Sequence, residues 1–305
     1  MINEPEKTRP EGDKIGGVAV HRHVPLEAGL YLCAVPIGNA RDVTLRTLDI
    51  LASADVIAAE DTRTARKLMD IHGVPIGERP MIAYHDHSGE AVRSRLMAAV
   101  RDGKSVAYVS EAGTPLVADP GYKLAADMRE AELPLTAAPG ASAVLTALTV
   151  SGLPSDAFHF AGFLPSTTAA RVRALEGLRD IQATVVLYES PRRVSGLLTD
   201  LVQVSGGLRQ VVICRELTKK FEEVMRGTAE HLLAVLDGRN LKGEVVVLIG
   251  RGAPEQMSED DVIDALKSAL KTMRMKDAAT AVAGATGMAR REVYQLALSL
   301  KGDTA

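Results

Sequence analysis

Ser110-Glu111-Ala112-Gly113-Thr114-Pro115-Leu116-Val117-Ala118-Asp119-Pro120-Gly121-Tyr122, residues 110–122, is the stretch on which the reading of this chain turns. It follows the β-branched run Ser105-Val106-Ala107-Tyr108-Val109 and precedes an amphipathic run with Leu124, Ala125 and Met128. That order predicts a loop at the C-terminal end of a strand, leading into a helix. In an open α/β sheet this edge is where ligands bind. The prolines hold the loop stiff, and Gly113 and Gly121 allow a ligand close to the backbone. A plain βα connection takes about 2–6 residues, so the length of this one marks a ligand loop.

Outward from the loop, the same unit repeats. Leu30-Tyr31-Leu32-Cys33-Ala34-Val35 reads as a buried strand, Pro36-Ile37-Gly38-Asn39 as a turn, and Leu45, Leu48, Leu51 and Ala52 as one face of a helix capped by Asp42. Val56-Ile57-Ala58-Ala59 runs into Glu60-Asp61-Thr62-Arg63 at the start of another helix. Capping accounts for Asp61 or Thr62 but not for Arg63. Met81 to Tyr84 leads to His85-Asp86-His87, whose spacing without a distant third ligand makes a weak metal site, so no metal is expected. Leu135 to Ala138 is a strand, and Pro139-Gly140-Ala141-Ser142-Ala143 opens an apolar helix whose first N–H groups a ligand could touch. These units predict an N-terminal α/β domain over residues 29–151.

A second α/β domain is expected over residues 152–252. Its strands lie around Phe158, at Thr184 to Tyr188, at Val211 to Cys214 and at Gly243 to Ile249, with a turn at Gly162-Phe163-Leu164-Pro165 and a hairpin from Phe221 to Gly227. Charged groups gather at the strand ends Glu189-Ser190-Pro191-Arg192-Arg193 and Arg215-Glu216-Leu217-Thr218-Lys219. Residues 253–305 carry helical periodicity and, from Lys267 to Lys301, seven Lys or Arg against Asp277 and Glu292. With the Gly287 turn before Arg290 and Arg291, they predict a helix-turn-helix-like module. Residues 1–28 mix charge with Gly and Pro and are expected to be a flexible tail.

Composition bounds the function. With 46% hydrophobic and 25% charged residues among 305, the chain is expected to be globular. Aromatics are 3% and Trp is absent, so the core must be aliphatic. The net charge of −3 supplies no global attraction to nucleic acid, which leaves local basic patches. Cys33 and Cys214 sit in apolar runs, as in a reducing compartment. No apolar run has the roughly 18 residues of a membrane span, and no signal-peptide core is seen, so a cytoplasmic protein is expected. Dinucleotide, P-loop, zincin and nucleophile-elbow motifs are absent.

Taken in order, Val35 to Asn39, Glu60 to Arg63, Ser110 to Pro115, Asp119 to Tyr122, Pro139 to Ala143, Gly162 to Pro165, Tyr188 to Pro191 and Arg215 to Lys219 resemble the ribosomal RNA small subunit methyltransferase I family, in the tetrapyrrole (corrin/porphyrin) methylase superfamily. The family reads Thr at Val35, Asp at Glu111, His at Arg192 and Lys near Ser166 and Thr167. The resemblance implies two α/β domains with S-adenosylmethionine between them, a homodimer, and 2′-O-methylation of a cytidine in 16S ribosomal RNA or the small ribosomal subunit. It implies that the donor meets Pro36, Gly38, Ser110, Glu111, Ala112, Gly113, Thr114, Pro115, Ser142, Ala143, Leu187 and Tyr188. Methyl transfer to a hydroxyl needs a base, and Asp61, Glu60, Glu216 and Lys219 are the candidates, with Arg63 and Arg215 orienting anionic groups. RNA-facing charge is expected from Arg171, Arg192, Arg215, Arg290 and Arg291. The rival readings are a tetrapyrrole methylase of the same fold and a non-catalytic RNA-binding protein.

Overall fold

The computed structural model describes residues 21–85, 88–252, 259–286, 288 and 290–302. Most of the expected tail, Asp86 and His87, and the Gly287 turn lie outside these residues.

The first sheet is fully parallel in the order β3-β2-β4-β1-β5, built from β1 (Gly29–Cys33), β2 (Val56–Ala59), β3 (Met81–Ala83), β4 (Ser105–Val109) and β5 (Leu135–Ala138). Parallel strands buried on both faces need unbroken apolar runs, and every residue of β2 and β4 is buried. Helices α1 (Leu45–Ser53) and α2 (Thr62–Ile71) cover one face through Leu48, Leu51 and Met69. Helices α3 (Glu90–Arg101) and α4 (Tyr122–Glu130) cover the other through Leu96, Val100, Leu124 and Met128. The chain leaves β1 by one face and β4 by the other, so the strand order reverses between these two neighbours. Their C-terminal loops diverge there and open a crevice. A single bridge, Val35 to Gly113, ties the loops together at its base.

The second sheet has the order β6-β7-β10-β8-β9: β6 (Phe158–Phe163), β7 (Thr184–Glu189), β8 (Gln210–Arg215), β9 (Glu223–Thr228) and β10 (Val245–Ile249). Only β6 and β7 pair in parallel; β10 runs antiparallel to β7 and β8, and β9 closes the edge as a hairpin with β8. Strand alternation splits its residues. Val185, Leu187, Ile213 and Val247 meet α6 (Thr168–Leu178), α7 (Val194–Ser205) and α8 (Ala229–Val235), while Val186, Val212, Cys214, Val246 and Leu248 face the opposite way.

That opposite face is covered by α5 (Ala143–Ser151), whose Val144, Ala147 and Leu148 join Ile37 of the first sheet's turn in one core. The helix expected to complete the N-terminal domain therefore packs on the second sheet and joins the two units. Arg226 reinforces the joint by donating from Nε to the Ser151 carbonyl at 3.0 Å.

Two local expectations are corrected. Helix α1 is capped by Thr44, whose Oγ1 accepts from the Thr47 N–H at 3.1 Å, and Asp42 ends a preceding 3-10 turn. The Gly162-Phe163 segment is strand: the pairing of β6 with β7 shifts register between Phe160 and Gly162, and Gly162 takes φ +65°. A glycine with positive φ is what a bulge of this kind uses.

Helices α9 (Glu259–Leu270), α10 (Met275–Thr286) and α11 (Arg290–Gly302) form a separate core around Val262, Leu266, Ala279, Val282, Val293 and Ala297. No helix among the described residues is long and apolar enough to cross a membrane.

Candidate active site

Two adjoining cavities lie where the sheets face each other. The first, about 370 Å³, is enclosed by Ala112 to Thr114 and Val117 to Asp119 of the β4 loop, the start of α5, and Phe163, Tyr188 and Val246 of the second sheet. The second, about 460 Å³, lies over the β1 and β2 ends, between Pro36, Gly38, Glu60, Ser110, Glu111 and Lys219. Both volumes fall in the range of small-molecule sites, about 300–1,000 Å³.

Close backbone approach shapes the cleft. Gly113 has φ +75°, and a Cβ there would stand 3.3 Å from Ile37 Cγ2. At Gly38 a Cβ would stand 2.5 Å from Lys219 Cγ and 2.8 Å from Thr218 Oγ1, so this turn abuts the β8 loop of the second sheet. The Asn39 N–H donates to Thr218 Oγ1 across the same contact at 3.1 Å. Strain concentrates on the two loops that face each other: Leu116 (φ 70°) and Ala118 (φ 59°) on one, Glu216 (φ 53°) and Thr218 (φ 65°) on the other. Non-glycine residues hold such angles only where their surroundings compel them.

The donor-site residues named from the sequence divide. Gly113, Thr114, Ser142, Ala143 and Tyr188 line the first cavity, Pro36, Gly38, Ser110 and Glu111 the second, and Ala112 both. Pro115 lines neither cavity. Leu187 is corrected: its side chain is in the core under α6 and α7, and its backbone is paired with Gly162 and Val247 on either side. Strand alternation puts Tyr188, not Leu187, at the cleft.

S-adenosylmethionine fits the first cavity on the uncapped start of α5 and the small residues around it. Glu189, at the end of β7, is 3% exposed and lines it. Its Oε1 accepts from the Ser190 N–H at 2.7 Å and lies 3.1 Å from Arg193 Nε, whereas Oε2 has no partner. Its side chain shares the helix-facing side of β7 with Val185 and Leu187, so this carboxylate is sealed beside Arg193 and does not open into the cavity. Ser142, at the N-cap of α5, makes no side-chain capping bond, so the first N–H groups of that helix are left to a polar ligand group. Gly113, Ala112 and Ala143 supply the room.

The proposed bases also separate. Glu60 and Lys219 line the second cavity; Asp61, Arg63 and Glu216 line neither. Asp61 caps α2 by accepting from the Arg63 N–H at 2.8 Å, and the Arg63 guanidinium closes on the same carboxylate at 3.1 and 2.7 Å. Arg63 is thus part of the cap. These bonds hold the Asp61 carboxyl down at about 2, which makes it a weak base. Glu60 Oε2 accepts from the Glu111 N–H at 3.0 Å. Lys219 Nζ donates to Glu216 Oε1 at 2.9 Å and Glu244 Oε2 at 2.8 Å. Burial works to lower its pKa, but the two carboxylates outweigh it and hold an ammonium rather than the neutral amine that base catalysis would need. The bond from Lys219 in turn depresses the Glu216 pKa.

Arg171, expected to face RNA, is corrected: it is 7% exposed and its Nε donates to buried Asp200 at 2.6 Å. Its place on the side of α6 that packs against α7 fixes that, since a buried guanidinium requires a buried carboxylate. Arg215 is part-buried against Glu223, at 3.1 Å. Arg192, Arg290 and Arg291 are exposed. Sequence reasoning left Glu189, Asp119 and Glu244 unassigned although they line the cleft. Glu189 and Asp119 stood inside quoted motifs, which was the available signal. Glu244 carried none.

Residues 29–233 match the family Tetrapyrrole (Corrin/Porphyrin) Methylases, and residues 256–301 match the RsmI C-terminal HTH domain. The chain is 44% identical to "Ribosomal RNA small subunit methyltransferase I" of Mesorhizobium japonicum, covering 91% of this chain and 94% of that one. It is 40% identical to the protein of the same name from Vibrio cholerae, over 90% and 96%. Among solved structures, uroporphyrin-III-C-methyltransferase from Thermus thermophilus superposes with TM-score 0.52 at 23% identity, over 73% of this chain and 94% of that one. A structure of uroporphyrin-III C-methyltransferase from Thermus thermophilus complexed with S-adenosylhomocysteine gives TM-score 0.52 at 16% identity over 73% of this chain and 97% of that one. The double sheet, the cleft at the strand-order reversal and these likenesses agree: the chain belongs to the ribosomal RNA small subunit methyltransferase I family of tetrapyrrole methylases.

Proposed function

We propose that this protein transfers the methyl group of S-adenosylmethionine to the 2′-hydroxyl of a cytidine in 16S ribosomal RNA. The observation that carries the reading is the pair of joined cavities at the strand-order reversal, one small-residue and apolar with the uncapped start of α5 in its wall, the other charged. A donor and an acceptor need two such compartments with a common boundary. S-adenosylmethionine, when bound, supplies a methyl group on a positively charged sulfur. Gly113, Thr114, Ser142, Ala143 and Tyr188 would hold it. The clamp of Lys219 between Glu216 and Glu244 holds the β8 loop to the start of β10, and the Asn39 N–H bond to Thr218 Oγ1 sets that loop against the Gly38 turn. Orientation of this kind supplies much of the acceleration in a displacement reaction.

The acceptor is RNA rather than a tetrapyrrole on this reading because the helical module carries Lys271, Arg274, Lys276, Arg290 and Arg291 exposed on a chain of net charge −3. Phosphates would be drawn to that surface. The protein acts in the cytoplasm as a homodimer, a reading supported by exposed apolar side chains along the edge strands and α5: Leu135, Phe158 and Leu145 are 41%, 45% and 54% exposed. The test is calorimetric titration with S-adenosylmethionine, followed by mass mapping of 16S ribosomal RNA from a deletion strain and after incubation with the purified protein. A missing methyl group restored in vitro is expected. Donor binding without RNA methylation would overturn the RNA reading.

A further inference from the structure

We infer that Asp119 is the residue that takes the proton from the acceptor hydroxyl, an inference that rests on the proposed methyl transfer. Donor and acceptor can react only where their compartments meet. Ile37, Ala112, Asp119 and Glu244 line both cavities, and of these only Asp119 and Glu244 can accept a proton. Both share the wall of the first cavity with Tyr188, whose hydroxyl is pushed up to about 12 by burial first, then by the negative charge of Asp119 and Glu244. Glu244 lies largely in solvent, its side chain 75% exposed, whereas Asp119 is half-buried between the compartments.

The chain around Asp119 is built to hold a fixed position. Leu116 and Ala118 sit at positive φ before it. After it, the Pro120 carbonyl accepts from the buried Tyr108 hydroxyl at 3.0 Å, and Gly121, at φ +119°, rests on the Tyr108 ring, which a Cβ would approach to 3.0 Å. The floor of the loop is thus a fully buried tyrosine of β4. Fixing a half-buried carboxylate by strained backbone and a buried hydroxyl fits a group whose position matters for reaction. The rival carboxylates lack the location: Asp61 and Glu216 line neither cavity, and Glu60 lines only the second and is bonded to the Glu111 N–H.

In the step assigned to Asp119, the ribose oxygen bonds to the methyl carbon as that carbon's bond to sulfur breaks. The sulfur keeps the electron pair and becomes a neutral thioether. The hydroxyl proton passes to a carboxylate oxygen of Asp119 and then to solvent, so charge and atoms balance.

The test compares Asp119→Asn, Asp119→Glu, Asp61→Asn and Glu244→Gln with the wild type in the full-length protein. Asp119→Asn should lower kcat by about 10²–10⁴-fold, leaving KM for RNA and the Kd for S-adenosylhomocysteine within about twofold. Asp119→Glu should recover part of the rate, and Asp61→Asn should keep it. A second readout needs no turnover. Sinefungin carries a protonated amine in place of the sulfonium methyl, so a carboxylate at the junction should favour it over S-adenosylhomocysteine. Asp119→Asn should cut that preference by about tenfold. Retained S-adenosylhomocysteine binding shows that the variant is folded. Wild-type turnover in Asp119→Asn, an unchanged sinefungin preference, or a larger rate loss in Glu244→Gln or Asp61→Asn would overturn the assignment. A wild-type protein that binds donor but methylates no RNA would remove the function reading, and this assignment with it.

Discussion

Replacing Gly38 with Ala tests whether the fit between the two sheets sets the reaction geometry. The new Cβ would stand 2.5 Å from Lys219 Cγ, 2.8 Å from Thr218 Oγ1 and 3.1 Å from the Leu217 carbonyl. Ordinary carbon contacts are about 3.5–4.0 Å, so the surfaces must part by about 1 Å. Lys219 cannot simply swing away, because Nζ is held by Glu216 at 2.9 Å and Glu244 at 2.8 Å. Nor can the loop slide freely, with Glu216 at φ 53° and Thr218 at φ 65°. Overpacking of this kind costs about 1–3 kcal/mol, and each kcal/mol lowers Tm by about 2–4 °C in a chain of this size. A 1 Å misplacement of reacting groups costs up to about 10²-fold in rate. Single-turnover methylation of ribosomal RNA should therefore fall by about that factor while Tm drops only modestly. Adding Lys219→Ala removes the nearest contact and should restore part of the Tm. A Gly38→Ala protein with wild-type rate and Tm would refute the argument that this contact defines the cleft.

Gly113→Val places a branched side chain at φ +75° with its Cβ 3.3 Å from Ile37 Cγ2, and calorimetry should show S-adenosylmethionine binding abolished in a protein that still folds. Arg171→Ala strands buried Asp200 and should cost about 3–5 kcal/mol in urea titrations, with any RNA loss tracking unfolding, whereas exposed Arg192→Ala should leave stability unchanged. Charge reversal at Arg290 and Arg291, both exposed on α11, should weaken RNA binding and flatten its salt dependence without changing donor affinity; a dimeric double variant with the original salt slope would refute the basic-surface reading. The Glu216–Lys219 clamp has a signed pH response. The depressed Glu216 contributes fully above the usual glutamate pKa of about 4.3 and loses its share as pH falls through its folded value. The raised Lys219 contributes fully below the usual lysine pKa of about 10.4 and loses its share as pH rises through its folded value. The Tm advantage of wild type over Lys219→Met should thus be flat across neutrality and shrink at both extremes.

Local chemistry made much of the architecture legible. The apolar runs at Val56 to Ala59 and Ser105 to Val109 are buried strands because both faces of a parallel sheet are covered. The loop beginning at Ser110 proved to be a cleft loop, ending at Gly121 as α4 starts at Tyr122. Its two prolines and two glycines signalled stiffness and close approach without any partner being known. Asp61 as a cap was legible for the same reason, since capping is satisfied within three residues. The bulge at Gly162 was not, because a register shift belongs to a pair of strands and not to either one.

Residue patterns specify which segments become strands and helices, that ligand-capable residues gather at strand ends, and, through the order of the motifs, the family. Tertiary structure alone decided which charges are spent inside the fold and which meet in the cleft. Arg171 and Arg192 look alike in sequence, yet one is sealed against Asp200 and the other lies in solvent. Leu187 and Tyr188 are neighbours, yet the pleat sends one into the helix-side core and the other to the cleft. Helix α5 follows the first sheet in the chain but packs on the second, and Asp119 shares a cavity wall with Glu244 and Tyr188 only because the sheets face each other. The physical reason is common to all of these. Periodicity and capping act between residues a few positions apart, whereas solvation, ion pairing and pKa depend on what the rest of the chain brings within a few ångströms.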